Sequence, residues 1–117
     1  MFNFEKLDVW QKAIALADVI YNETRSFPAD ERFGLTNQMR RSVVSVPSNI
    51  AEGSSRSSKS DFGRFVEIAT GSVFELVSQG FAAKRQEFLS EDRFQALYVD
   101  AEEIGRMLSG LRNSLMR

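Results

Sequence analysis

The sequence predicts an all-α protein, an antiparallel up-down-up-down four-helix bundle that spans residues 1–117 as a single domain. Apolar residues recur at three- and four-residue spacing along most of the chain, as on the buried face of a helix. Strand-like alternation of useful length is missing. Two prolines and several glycine- and serine-rich clusters divide the chain into four such stretches. Short connections between amphipathic helices favour antiparallel neighbours.

The first helix is predicted over residues 7–25. Phe27-Pro28 ends it, because the residue before a proline is disfavoured in helical conformation. Its predicted apolar stripe comprises Leu7, Trp10, Ile14, Ala17 and Tyr21. Three further apolar residues lie beside this stripe: Ala13, Leu16 and Ile20.

The second helix is predicted to begin near Thr36, a residue type that caps helix N-termini. Pro47 lies inside this helix and lacks a backbone N–H, so the helix is expected to be kinked near Pro47. The predicted core stripe comprises Leu35, Met39, Val43, Val46 and Ile50.

The third and fourth helices have clear N-terminal signals. Ser58 with Asp61 forms a capping-box pattern, and the third helix is expected to continue to about Glu87. Ser90 suits the N-cap of the fourth, where following acids favour the helix dipole. A sustained heptad stripe follows in Phe94, Leu97, Ala101, Ile104, Leu108, Leu111 and Leu115.

The third helix carries more apolar surface than one core needs. Phe74, Phe81 and Phe88, spaced seven residues apart, lie to one side of its main apolar face, and the apolar arc spans roughly 200° where ~100° suffices. Val44 lies almost opposite the core stripe of the second helix. Two interpretations follow: the aromatic residues broaden the core, or they form a second contact surface for self-association.

Two groups of polar residues are candidate binding sites. One flank of the second helix carries polar residues every three or four positions, namely Arg41, Ser45, Ser48 and Glu52. They indicate either a groove for an anionic partner or a network that sets helix register. Around Arg56 and Lys59, the serine-rich start of the third helix indicates either a phosphate site or a well-capped loop. The chain has 15 basic and 16 acidic residues, so the strongly basic block of a general nucleic-acid binder is missing.

The composition argues against an enzyme and against a cofactor. There is no cysteine and no histidine, which excludes thiol chemistry and the usual histidine ligands and proton carriers. Glu67, Glu75, Glu102 and Glu103 lack the histidine of bundle di-iron centres, leaving only an all-carboxylate magnesium site as an alternative. Neither a phosphate-loop motif nor a small-molecule substrate site is evident.

The sequence also predicts a cytoplasmic protein. No apolar run approaches the ~20 residues that cross a bilayer, so no membrane partner is expected. The start of the chain does not resemble a signal peptide. The lack of cysteine fits a reducing compartment.

Several segments together resemble one protein family, the small four-helix-bundle proteins encoded in intervening sequences of bacterial 23S ribosomal RNA genes, often labelled as ribosomal proteins. The likeness covers nearly the whole chain, and the Asn49–Gly53 segment in its setting is quite specific. The residues that carry it include Leu7-Asp8-Val9-Trp10-Gln11-Lys12-Ala13, Gln38-Met39-Arg40-Arg41-Ser42 and Ser45-Val46-Pro47-Ser48-Asn49-Ile50-Ala51-Glu52-Gly53.

The resemblance implies a four-helix bundle that assembles into a ring-like homopentamer. It also implies kinship with the accessory protein of diversity-generating retroelements, which works beside a reverse transcriptase and binds nucleic acid through a basic surface. The matching Arg40, Arg41, Asn49 and Glu52 look like determinants of fold or assembly. We therefore expect a non-enzymatic, self-associating bundle, with a nucleic-acid-binding accessory module as the alternative; its weak candidate contacts are Arg40, Arg41, Arg56 and Lys59.

Overall fold

The computed structural model describes residues 1–117 and contains four α-helices and no strand. The helices are α1 (Asp8–Thr24), α2 (Leu35–Ser54), α3 (Lys59–Arg85) and α4 (Glu91–Leu115), with short 3-10 turns at Asn3–Lys6 and Ala29–Glu31. Each helix packs against the next, and α1 also contacts α4, so the α1/α2 side lies opposite the α3/α4 side. The molecule measures 44 × 22 × 21 Å. The predicted all-α four-helix bundle is confirmed.

One cluster of 20 buried apolar residues, contributed by all four helices, forms the core. The predicted stripe of α2 is confirmed for Met39, Val43, Val46 and Ile50, while Leu35 packs at the edge of the cluster. The heptad stripe of α4 is also buried, as far as Leu108. None of the helices is long and apolar enough to cross a membrane.

The predicted buried stripe of α1 is wrong by one residue in phase. The residues that point inward are Val9, Ala13, Leu16, Ile20 and Thr24. Ile14 and Tyr21 are instead 39% and 38% exposed. Both sets repeat every three or four residues, and a shift of one residue rotates a helix face by ~100°. The sequence pattern alone therefore fits either phase.

The helix N-termini agree with the sequence at α3 and α4 but not at α2. The Ser58 hydroxyl accepts a hydrogen bond from the Asp61 N–H at 3.0 Å, and the Ser90 hydroxyl accepts one from Arg93 at 3.2 Å. The predicted cap at Thr36 is wrong. Helix α2 begins one residue earlier, at Leu35, whose N–H donates to the Glu31 carboxylate at 3.0 Å.

The C-terminus of α3 lies close to the predicted position, about Glu87. The helix ends at Arg85, and Glu87 adopts a left-handed conformation with φ of 65°. The Phe88 N–H then donates back to the Ala83 carbonyl at 2.9 Å, as in a Schellman-type ending. Phe88 therefore leaves the helical face shared by Phe74 and Phe81, and its half-buried ring packs against Phe27 with a centroid distance of 5.5 Å.

Helix α2 continues through Pro47 to Ser54. Two residues after Pro47, the Asn49 side-chain amide donates to the Ser45 backbone carbonyl at 2.8 Å. The carbonyl that loses its normal donor at Pro47 is that of Val43, four residues earlier, so the Asn49 bond supports the neighbouring turn and does not replace the lost hydrogen bond. The size of the bend at Pro47 stays a prediction.

Candidate functional site

The outer side of α3 and α4 forms a shallow, mainly apolar groove of about 520 Å³. The Phe74 side chain stands at its edge and is 71% exposed. The floor and rims comprise Thr70, Val73, Phe74, Val77, Tyr98, Ala101, Glu102, Gly105, Arg106 and Ser109. An exposed phenylalanine beside an apolar groove is typical of a contact surface.

The three phenylalanines predicted for this surface have different surroundings. Phe81 is 44% exposed, and its ring packs on Phe94 and Tyr98 at centroid distances of 4.6 and 6.2 Å. Phe88 is half-buried at the end of the bundle, away from the helical face. Phe74 makes no aromatic pair and is the free apolar group of the three.

At three glycines in helix interiors, packing within the chain does not explain why a larger residue is missing. A Cβ added at Gly71, Gly105 or Gly110 would meet no atom within 4 Å. By contrast, a Cβ at Gly80 would lie 3.0 Å from the Leu97 side chain. Glycine in a helix interior is less favourable than alanine by ~1 kcal/mol. Gly105 therefore leaves open space in the groove. A glycine in the interior of a predicted helix is a feature that the sequence alone shows.

The α1/α2 side, opposite this groove, has a second shallow groove of about 400 Å³. Tyr21 and Val44 supply its apolar surface. Arg40, Arg41 and two uncharged polar residues complete the lining, which contains no carboxylate. Val44 is 40% exposed, so it faces solvent as predicted, but on the side away from Phe74. Because α1 was assigned the wrong phase, the sequence did not identify Tyr21 as part of this surface.

The neighbouring arginines of the α1/α2 groove have different roles. The Arg40 guanidinium donates to the Thr24 hydroxyl at 2.8 Å and to the Tyr21 carbonyl at 3.4 Å, and it stacks on the Tyr21 ring at 4.6 Å. Arg40 thus joins α2 to the end of α1, where a helix dipole favours a cation. Arg41 is exposed and makes neither an ion pair nor a side-chain hydrogen bond.

The polar residues predicted on α2 form a smaller network than their spacing suggests. The Ser45 hydroxyl accepts hydrogen bonds from Ser72 of α3 at 2.8 Å and from Asn49 at 2.9 Å. Ser48 is exposed, and Glu52 lies 3.6 Å from Arg56 instead of joining Ser45. The network fixes α2 against α3. Ser72 was not predicted, because its partnership depends on the register between two helices.

The other predicted cations, Arg56 and Lys59, lie at the opposite end of α2 from Arg40. Helix α2 runs about 21 Å, at 1.5 Å per residue, from Arg40 to its last residue, Ser54, and Arg56 lies beyond that end, so the four cations form no single site. Arg56 lies 3.7 Å from the Asp61 carboxylate and stacks on Phe65. Asp61 places a negative charge at the start of α3, beside the Ser58 cap. A phosphate site at Arg56 and Lys59 stays a prediction.

The four glutamates considered for a metal site are held separately. Glu67 pairs with Arg112, and Glu102 lies 3.6 Å from Arg106. Glu103 pairs with Lys12 of α1 at 2.7 Å, whereas Glu75 has no ion-pair partner. No three carboxylates converge closely enough to hold a metal ion.

The Lys12–Glu103 pair joins α1 to α4 and has the clearest electrostatic perturbation. The hydrogen bond from Lys12, followed by the charge of its ammonium, lowers the pKa of Glu103 below the ordinary 4.5. The hydrogen bond to Glu103 and its negative charge raise the pKa of Lys12 above the ordinary 10.5. The two side chains are 51% and 40% exposed, so the pair is a surface ion pair between two helices rather than a reactive site.

Comparison with known proteins identifies the family. The family model of the 23S rRNA-intervening sequence protein matches residues 5–110. The chain belongs to this family. A crystal structure of a protein of unknown function from the S23 ribosomal protein family of Bacteroides thetaiotaomicron has the same fold, with a TM-score of 0.80. The two are 23% identical over 89% of this chain and 97% of that one. No curated protein matches the sequence.

Proposed function

We propose that this member of the 23S rRNA-intervening sequence family is a non-enzymatic, self-associating helical bundle. The observation that carries the proposal is Phe74, a large apolar side chain 71% exposed in the middle of a long helix beside an apolar groove. Full burial of a phenylalanine contributes ~1.5–3 kcal/mol, and such side chains are typical anchors of protein interfaces. We further propose that the assembly works in the cytoplasm, in support of an RNA- or DNA-linked process.

Light scattering coupled to size exclusion tests self-association directly. The wild-type protein is expected to exceed the 13.3 kDa mass of one chain at micromolar concentration. Phe74→Ser is expected to raise the dissociation constant tenfold or more, because it removes an apolar anchor.

Phe33→Ser is the matched control, since Phe33 is 85% exposed but lies in the α1–α2 connection, outside both grooves. It is expected to leave the mass unchanged. A wild-type protein that stays monomeric at tens of micromolar would contradict the proposal. Equal effects of Phe33→Ser and Phe74→Ser would show that the groove is not the contact surface.

The alternative function is a nucleic-acid-binding accessory module. The observation in its favour is the α1/α2 groove, where Arg40 and Arg41 meet no carboxylate among the lining residues. An anisotropy titration with structured RNA across salt tests it, because phosphate contacts give a steep negative dependence of affinity on salt. Binding that Arg41→Gln weakens, with a flatter salt slope, would support this alternative. We expect no binding at low salt.

A further inference from the structure

We propose that the bundle opens along the seam between α1 and α4, with the seam between α2 and α3 as the hinge. In this opening the α1–α2 pair and the α3–α4 pair move apart as two units, and every helix stays intact. Each helix packs against two neighbours, so the two seams lie on opposite sides of the molecule. The inference does not depend on the self-association proposed above.

The α2/α3 seam is close-packed and joined by shielded groups. The Ser72 hydroxyl of α3 donates to the Ser45 hydroxyl of α2 at 2.8 Å. Gly53 of α2 comes so close to α3 that an added Cβ would lie 2.7 Å from the Phe65 Cβ. Separation of these helices would leave polar groups unpaired and open cavities, and both are costly. This seam is therefore suited to hold the two pairs of helices together.

The α1/α4 seam is looser. A cleft of about 110 Å³ lies between these helices, and the core residues Leu16 and Ile104 are among the residues that line it. Of the four neighbouring pairs of helices, α1 and α4 are the least closely packed. Side chains beside a gap have no partner atoms on that side and lose dispersion attraction. Separation of α1 from α4 therefore sacrifices less packing than separation of α2 from α3.

Two surface ion pairs join α1 to α4. Lys12 pairs with Glu103 at 2.7 Å, and the Glu23 carboxylate accepts a hydrogen bond from Arg93 at 2.8 Å. The two pairs lie ~17 Å apart along α1, at 1.5 Å per residue. Only Glu23 is well shielded, at 19% exposed. Exposed ion pairs contribute little and are weakened by salt, so the α1/α4 seam is closed by contacts that the surrounding solution can loosen.

The charges around the Lys12–Glu103 pair act in the same direction. Asp100 of α4 attracts Lys12 across the seam, and Asp8 attracts it within α1. Arg106 lies near Glu103 but on the same helix, so it does not bridge the seam. Salt screens the attraction between Lys12 and Asp100 as well, and is therefore expected to favour the open form.

Thiol labelling of single buried cysteines tests the opening, since the natural chain contains no cysteine. Leu16→Cys reports on the α1/α4 seam, and Ser72→Cys reports on the α2/α3 seam. With an uncharged reagent, we expect Leu16→Cys to be labelled at least about tenfold faster than its own global unfolding allows, because partial opening needs less free energy. Ser72→Cys should be labelled only through global unfolding. The Phe74→Ser background keeps association from covering either thiol.

The ion pairs provide a second readout in the same assay. Glu103→Gln and Arg93→Gln each remove one pair across the seam, and each is expected to speed labelling of Leu16→Cys about two- to fivefold. Added salt should act in the same direction. Glu102→Gln is the matched control, because it makes the same charge change one residue away but breaks a pair within α4. It should leave the labelling rate unchanged.

Two results would overturn the inference. One is a Leu16→Cys thiol that is labelled no faster than global unfolding allows. The other is equal acceleration by Glu102→Gln and Glu103→Gln, which would mean that the pair across the seam has no special role. Circular dichroism checks that the variants fold, and Ile104→Cys, on the α4 side of the same cleft, replaces Leu16→Cys if that variant does not. Self-association is judged separately, by light scattering.

Discussion

Helix α3 has two contrasting sides, one turned to α2 and one turned outward beside α4. Toward α2, its residues are satisfied within the chain: the Ser72 hydroxyl donates to Ser45, and Phe65 packs against the space left by Gly53. Toward the outside, Phe74 is largely exposed and Gly105 of α4 meets no atom where a Cβ would lie. The first side explains how the bundle folds, and the second carries features that folding alone does not require.

The largest expected effect is on the α2 side, at Gly53. A Cβ at this position would lie 2.7 Å from the Phe65 Cβ and 2.9 Å from the Phe62 ring. Gly53→Ala is therefore expected to lower the free energy of unfolding by ~1–3 kcal/mol, because the close-packed neighbours must shift. Chemical denaturation measures this change. A stability equal to or above wild type would mean that the seam between α2 and α3 is loosely packed.

A smaller loss is expected from the hydrogen bonds of the same seam. Ser45→Ala removes the acceptor of the Ser72 and Asn49 side chains, and should lower the free energy of unfolding by ~0.5–1.5 kcal/mol. Ser48→Ala is the matched control, three residues away on the same helix but exposed and without a side-chain hydrogen bond. Equal effects of the two substitutions would argue that the Ser45–Ser72 bond adds nothing.

The outward side should respond with the opposite sign. Gly105→Ala adds a methyl group in open space and is expected to stabilise the isolated chain by up to ~1 kcal/mol, the helix-propensity difference. The same methyl group should weaken self-association severalfold if a neighbour approaches closely there. Unfolding is best measured in a Phe74→Ser background, and association by light scattering in the wild type. A destabilised chain would show that Gly105 serves the fold rather than a contact.

The sequence predicted those parts of the molecule where one pattern dominates. Helices α2 and α4 have a single apolar phase, so their buried residues followed directly. Helix α1 has two overlapping phases, which is why Tyr21 was placed inside although it lies on the surface. The left-handed ending of α3 was not predicted, because Glu87, rather than a glycine, adopts the conformation that usually marks a helix end.

The candidate site was predictable only in part, for a related reason. The wide apolar arc of α3 allowed either a broadened core or an exposed surface, and only the structure shows that Phe74, unlike Phe81 and Phe88, is largely exposed. The link between Ser45 and Ser72, and the opposite positions of Val44 and Phe74, depend on how the helices pack and in which register. Spacing along the chain does not contain that information.

The smallest expected effect is at the α1/α4 side, where the Lys12–Glu103 ion pair joins the two helices at the surface. Because the folded protein lowers the pKa of Glu103, the carboxylate contributes stability above its ordinary pKa of 4.5, and that contribution is lost as the pH falls through the lower folded value. Because the folded protein raises the pKa of Lys12, the ammonium contributes stability at pH values below its ordinary pKa of 10.5, and that contribution is lost as the pH rises through the higher folded value.

Lys12→Met and Glu103→Gln should therefore destabilise slightly at neutral pH, and their non-additive coupling in a double-mutant cycle should disappear in acid. Gln95→Ala, at an exposed position of the same helix outside the grooves, is the control and should show no change of effect with pH. A coupling that persists once acid has protonated the Glu103 carboxylate would mean that packing of the side chains, and not their charge, joins α1 to α4. High salt should reduce the coupling at neutral pH as well, since both groups are exposed to solvent.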